Sequence, residues 1–243
     1  MTRGICRLCH QDSDLRDSHI LPEFFYLGIY ESRESHKTLA ITKDGVRTIQ
    51  KGLREYLFCQ KCETKLSRFE TYAAKLIRDI PYFQRDASDR FIFSEGVNYL
   101  KFKLFQLSIL WRASISSIEG FSQVSLGPHE EMLRCMLLDE NPGTACEYGC
   151  LMMTMLDTEI LHKVIVSPIR IRPKPFGHKA YKFATGNLTW IFFVTSHTIN
   201  RQIQEFFVQE NGSLRIWLAP DEKTPVINIA KSLQKFERER RSR

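Results

Sequence analysis

Cys6-Arg-Leu-Cys9 and Cys59-Gln-Lys-Cys62 form two C-x2-C pairs, the residues of this chain whose types and spacing say most about chemistry. Thiolates at this spacing can hold one ion without strain, and zinc takes four ligands in a tetrahedron, so two pairs fill its shell. The expected ion is a structural Zn2+ with no position left for a substrate. Any reaction must then be carried by polar residues beside the pairs. Asp17-Ser18-His19 precedes Ile20-Leu21-Pro22, Glu63 directly follows the second pair, and Glu70 lies seven residues further on, on the same helical face. A histidine of ordinary pKa, about 6.5, accepts a proton from water at neutral pH. Carboxylates hold hard cations such as Mg2+ or Mn2+. Lys61, Lys65 and Arg68 flank the helix start and suit a phosphate backbone, and a helix N-terminus itself favours an anion.

Taken in order (C-x2-C, a strand ending at His19, Pro22, then C-x2-C followed at once by Glu63), residues of about 5–70 resemble the zinc-bearing HNH (His-Me finger) endonucleases. The resemblance implies a ββα element of treble-clef type. It implies His19 as general base on a water and Glu63 as ligand of a catalytic Mg2+ or Mn2+, helped by Ser18, Asp17 or Glu70. The activity implied is metal-dependent hydrolysis of phosphodiester bonds in DNA or RNA. Ser18 departs from the pattern, because the family usually has Asp, Glu, Asn or His there, and a hydroxyl is a poorer ligand for a hard cation. The later segments KLFQLSILWRAS and LGPHEEMLR resemble those of bacterial proteins with a similar zinc-finger start, which suggests a bacterial or phage protein of genome conflict or antiviral defence. Each residue also has a plainer use. His19 and Ser18 can hydrogen-bond a knuckle or strand, Glu63 can serve the helix macrodipole, Asp17 can be a turn residue, and Glu70 a solvated helix residue. The alternative is therefore a catalytically degenerate module that binds nucleic acid or protein, or a subunit of a larger complex.

The elements that must position these residues follow from periodicity. DSHILPEFFYLGIY suits a strand and its exit, and TLAITKD and VRTIQK read as a hairpin joined at Asp44-Gly45. Leu66, Phe69, Tyr72, Ala73, Leu76, Ile77 and Ile80 recur at helical spacing, and Pro81 ends that helix. Polar Gln84–Arg90 reads as a connection. Tyr99 to about Ile115 is apolar on nearly all sides and predicts a buried central helix with Trp111 in the core. Gly127-Pro128-His129-Glu130-Glu131 opens another helix, ending before Asn141-Pro142-Gly143. MMTMLD, KVIVSPIRI, TWIFFVT and SLRIWLA read as strands, with a helix at Asn200–Val208. The class is α+β, with a zinc-stapled ββα module over 1–83 and an α+β region with a small, mostly antiparallel sheet over 91–243. Cys135, Cys146 and Cys150 lack knuckle spacing and read as free thiols.

The formal net charge of +7 is unevenly spread. Lys163–Lys182 holds six Lys/Arg and no acid, and Lys231–Arg243 holds six against Glu237 and Glu239; these contribute +6 and +4 and leave −3 for the rest. Concentrated basic segments on a near-neutral body suit a polyanion such as DNA or RNA. Arg170, Arg172, Lys174, Lys179 and Lys182 interleave with Phe176 and Tyr181, a pattern for phosphate contact with base stacking, or else a solvated loop. An apolar second region also suits a protein partner. No apolar run nears the ~18 residues of a membrane span, and the start carries no secretory signal. The cytoplasm is the expected location, where cysteines serve as metal ligands and buried thiols.

Overall fold

A computed structural model describes residues 2–27, 37–42, 45–50, 52–154, 165–172, 178–185, 188–197 and 201–218. Strand β1 (Thr2–Ile5) turns through the first cysteine pair into β2 (Asp12–His19), and a helical turn α1 (Phe24–Leu27) follows. The hairpin β3 (Lys37–Thr42) and β4 (Gly45–Gln50) precedes β5 (Arg54–Cys59), which runs straight into helix α2 (Gln60–Asp79). Short β6 (Gln84–Arg85) and β7 (Phe91–Ser94) lead to helix α3 (Tyr99–Ile115) and then α4 (His129–Leu138). The chain continues through β8 (Cys150–Thr154), β9 (Ile165–Ile171), β10 (Ala180–Thr185), β11 (Leu188–Phe193), the one-turn α5 (Arg201–Gln204) and β12 (Leu214–Leu218).

Two sheets result. The smaller is antiparallel, in the order β1-β2-β5. The larger has nine strands in the order β4-β3-β9-β10-β11-β8-β12-β7-β6, antiparallel except where β3 meets β9 and β12 meets β8. In α2, Cys62, Leu66, Phe69 and Ala73 form the buried face at intervals of three and four. The helix stops at Asp79, and Pro81 lies in a single 3-10 turn, Ile80–Tyr82. Helix α3 begins where the Asn98 side chain accepts the backbone N–H of Lys101 at 2.9 Å. From Phe102 to Ala113 every residue of α3 is buried, including Lys103, Gln106 and Arg112. It packs between α2 and α4 and presents Phe105 to Phe25 and Trp190. Trp111 lies stacked on Phe58 of β5, 5.6 Å between centroids.

The mixed α+β class holds, and so does the mostly antiparallel pairing. The larger sheet exceeds the small one expected, for three physical reasons. The polar connection 84–90 is a hairpin: Asp86 accepts the backbone N–H groups of Ser88, Arg90 and Phe91 at 2.8–3.0 Å, and this turn pairs β6 with β7. The basic segment around Lys179 and Lys182 is strand β10, whose Ala180, Tyr181 and Phe183 are buried among the charges. The β3–β4 hairpin, expected within the 1–83 module, pairs through β3 with β9, and the strands under α2 are β2 and β5. Residues 1–83 and 91–243 thus contribute to one sheet, and their buried side chains form one principal core. The helix expected over Asn200–Val208 is reduced to the turn α5, and Asn200 lies outside the described residues.

Candidate metal centre and its surroundings

The first knuckle is closed by main-chain bonds: His10 N–H to the Cys6 carbonyl and Cys6 N–H to the Gln11 carbonyl, both 2.9 Å. His10 takes φ +59° to complete the turn. Arg7 N–H donates to the Leu57 carbonyl at 2.9 Å, which pins the knuckle to β5. Cys59 ends β5 and Cys62 lies in the first turn of α2, so the strand-to-helix junction presents both sulfurs to the knuckle. Cys59 N–H donates to the Cys6 sulfur at 3.3 Å. All four Sγ atoms lie within 4.8 Å of one another, with Cys9 and Cys59 3.9 Å apart. Tetrahedral zinc with Zn–S of about 2.3 Å needs sulfurs about 3.8 Å apart. The donor set and its spacing therefore fit, and the cluster could hold a metal ion such as zinc. All four cysteines are free, and only Cys9 is less than fully buried.

Burial pushes the Cys62 thiol far up, and the neighbouring sulfurs add to it. Burial acts on Cys6 as well, but the N–H groups of Cys9, Cys59 and Leu8 outweigh it and hold that thiol below its ordinary value. Crowded thiols of this kind are the environment in which a cation binds with loss of protons. From α4, Arg134 donates to the Leu8 carbonyl at 2.6 Å and pairs with Glu131 at 2.7 Å, bracing the knuckle from outside.

The neighbouring polar residues are mostly engaged with one another. His19 ends β2 opposite Arg54, half-buried, its ring 6.0 Å from that of Tyr26. Ser18 is buried, and its hydroxyl donates to the Arg16 carbonyl at 3.2 Å. Asp17 pairs with Arg54 at 3.2 Å, and the same guanidinium donates to the Asp17 carbonyl. Glu70 pairs with Arg112 of α3, whose guanidinium also donates to the His19 carbonyl at 3.1 Å and lies over the Phe58 ring at 5.7 Å. Arg112 thereby brings Glu70 to the His19 end of β2. Glu63, half-buried in the first turn of α2, belongs to the sulfur end. Leu15, four residues before His19, is opposite Cys59 there, so the two ends are roughly 13 Å apart along the strand.

Among the basic residues, Lys61 is exposed. Lys65 donates to the Leu138 carbonyl at 2.6 Å, and both Lys65 and Arg68 pair with Glu140, at 3.4 and 2.6 Å. Arg170 and Arg172 are exposed at the end of β9. Lys179 donates to the Ser125 carbonyl and lies over the Tyr181 ring, while Lys182 is half-buried and its ammonium is disfavoured by burial. Tyr181, expected to stack on a base, is instead a core residue whose hydroxyl donates to the Ser125 carbonyl at 2.8 Å. Lys174, Phe176 and the basic tail 231–243 lie outside the described residues. Sequence reasoning missed Arg112 and Arg134. The signal for the first was present: a guanidinium in the last turn of a helix read as buried needs polar partners from other elements.

No protein-family model, curated protein or solved structure matches this chain.

Proposed function

We propose that the chain is a zinc-stapled nucleic-acid-binding protein, built on an HNH-like module of treble-clef type whose catalytic cation site has lost its ligands. Cys6, Cys9, Cys59 and Cys62 would hold the Zn2+, whose contribution is to fold the knuckle, the β5–α2 junction and the three-stranded sheet as one piece. One observation carries the loss of catalysis: Arg112 occupies the Glu70 carboxylate and the His19 carbonyl together. Of the two remaining candidates, Asp17 is paired with Arg54, and the Ser18 hydroxyl, buried and turned to the Arg16 carbonyl, is a poor ligand for a hard cation. A Mg2+ or Mn2+ ion needs several oxygen ligands, and Glu63 alone supplies too few. Binding is supported by the net charge of +7 and by the exposed Arg170 and Arg172 within the acid-free stretch 163–182.

The second reading, a metal-dependent nuclease with His19 as base and Glu63 as ligand, is favoured by the partial exposure of both side chains. Purified, zinc-loaded protein incubated with plasmid and RNA in Mg2+, Mn2+ or EDTA separates the two. The binding reading expects mobility shifts without cleavage. Metal-dependent cleavage abolished by both His19→Ala and Glu63→Ala would replace it with the nuclease.

A further inference from the structure

The outward face of α2 has a composition that the zinc site does not require. Positions 61, 64, 68, 71, 75 and 78 recur at intervals of three and four, which aligns them on one face of a helix. They are Lys61, Thr64, Arg68, Thr71, Lys75 and Arg78, and all are exposed. The buried face, with Cys62, Leu66, Phe69 and Ala73, lies opposite. The two threonine hydroxyls donate back to the carbonyls of Gln60 and Ser67, at 3.0 and 2.8 Å, so they lie flat and uncharged along the helix. The acids of α2 lie elsewhere with one exception: Glu70 is turned to Arg112, Glu63 sits in the first turn beside Cys62, and Asp79 alone shares the face, as its last residue. Arg68 divides its guanidinium between this face and Glu140. Lys101, at the start of α3, lies over the Tyr72 ring at 5.9 Å and adds a further cation at the flank. Just past the helix, Tyr82 is 86% exposed, a large aromatic side chain left in solvent.

From this arrangement we infer that the outer face of α2 is a track for the phosphodiester backbone of a nucleic acid, with Tyr82 stacking on an unpaired base at its end. The inference rests on the nucleic-acid-binding reading and names its surface. Charge complementarity identifies the occupant: cations recur along a single face with neutral hydroxyls between them. A helix of 20 residues is about 30 Å long, close to the ~34 Å of one duplex turn. Such contacts position a strand without reading its sequence. The Glu140–Arg68 pair is a surface ion pair, weak enough for a phosphate to displace.

The test is fluorescence anisotropy of labelled 20-nucleotide single-stranded and duplex DNA and RNA, titrated with the full-length, zinc-loaded chain across a KCl series. Lys61→Gln/Lys75→Gln/Arg78→Gln is compared with Arg170→Gln/Arg172→Gln and with Tyr82→Ala. The substituted side chains are exposed, and zinc content and thermal unfolding check that each variant folds. The helix triple variant is expected to bind roughly 10- to 100-fold more weakly at low salt, and to flatten the slope of log K against log[salt] by about 2 to 3, near 0.7–0.9 per lost contact. Tyr82→Ala is expected to weaken single strands more than duplexes. If the triple variant keeps wild-type affinity and slope while the Arg170/Arg172 variant loses both, the chain binds nucleic acid elsewhere and the track is refuted. If polyglutamate competes as well as nucleic acid, the occupant is wrong. Failure of the wild-type chain to bind any probe overturns the binding reading and the track with it.

Discussion

Arg112 is the residue on which the neighbourhood of His19 turns. Its guanidinium is almost fully buried, and its partners belong to α2 and β2. Removing it strands the Glu70 carboxylate beside a cavity, and breaking such a pair costs about 3–5 kcal/mol. Urea unfolding of Arg112→Ala should show a loss of that size, and Arg112→Met/Glu70→Leu should recover most of it, since a matched apolar pair carries no desolvated charge. Lys103 is the second buried cation. Its ammonium donates to the carbonyls of Ala145 and Tyr148 at 3.3 and 3.2 Å, with Cys146, Cys150, Glu147 and Glu210 as the surrounding titratable groups. Burial brings it down from 10.5 to about 8. Between these values the unfolded chain binds the extra proton, so this group's contribution to stability increases as pH rises from about 8 to about 10.5. The gain is on the order of 3 kcal/mol. Nearby thiols such as Cys150, raised from 9.0 by burial, oppose it in the part of that range above about 9. The difference in unfolding free energy between wild type and Lys103→Met isolates the lysine, and a difference independent of pH across 8–10.5 would refute the assignment.

At the scale of elements, the four-cysteine cluster joins the β1–β2 turn to the β5–α2 junction. Cys59→Ser should remove the ion, as measured by metal content per chain, and lower the melting temperature, since metal-binding energy is folding energy in such sites. Retention of one zinc per chain with unchanged melting would show that the three remaining cysteines suffice. Asn98→Ala should cost about 1 kcal/mol by deleting the cap of α3. The sequence made these elements legible to different degrees. The cysteine spacing picked out the four thiols that come together, and the all-round apolar character of Tyr99–Ile115 gave α3 its bounds, because each of these signals is local. Strand β10 was concealed because Lys182 interrupts its apolar positions and Lys179 abuts its start. Helix α5 was overextended because apolar Phe206, Phe207 and Val208 continue its pattern, although Phe207 is buried in a small cluster with Phe193 and Ile203, and Val208 in the principal core. The partners of Asp17, Glu70 and Lys65 were illegible because each comes from 37 to 75 residues away in the chain, where no spacing rule reaches.

For the molecule as a whole, the boundary drawn near residue 83 is crossed by structure in both directions. Arg112 reaches back to β2, Arg134 reaches back to the knuckle, and the β3–β4 hairpin reaches forward to β9. A fragment of residues 1–83 should therefore bind zinc yet expose the hairpin and the apolar face of α2 that α3 covers. It should run as an aggregate in size-exclusion chromatography, whereas the full chain should not. A monodisperse, cooperatively unfolding fragment would show that the N-terminal module is self-sufficient.

The parallel pairing of β3 with β9 also sets a timetable for synthesis. Ala40 lies beside Ile165 in the finished sheet. At about 5–20 residues per second, a ribosome supplies the partner strand roughly 6 to 25 s after the hairpin has been made. Throughout that interval one edge of the hairpin offers unpaired main-chain groups to any neighbouring chain. The nascent protein is therefore most exposed to misassembly on crowded polysomes, and slowing translation between residues 50 and 165 should lower its soluble yield.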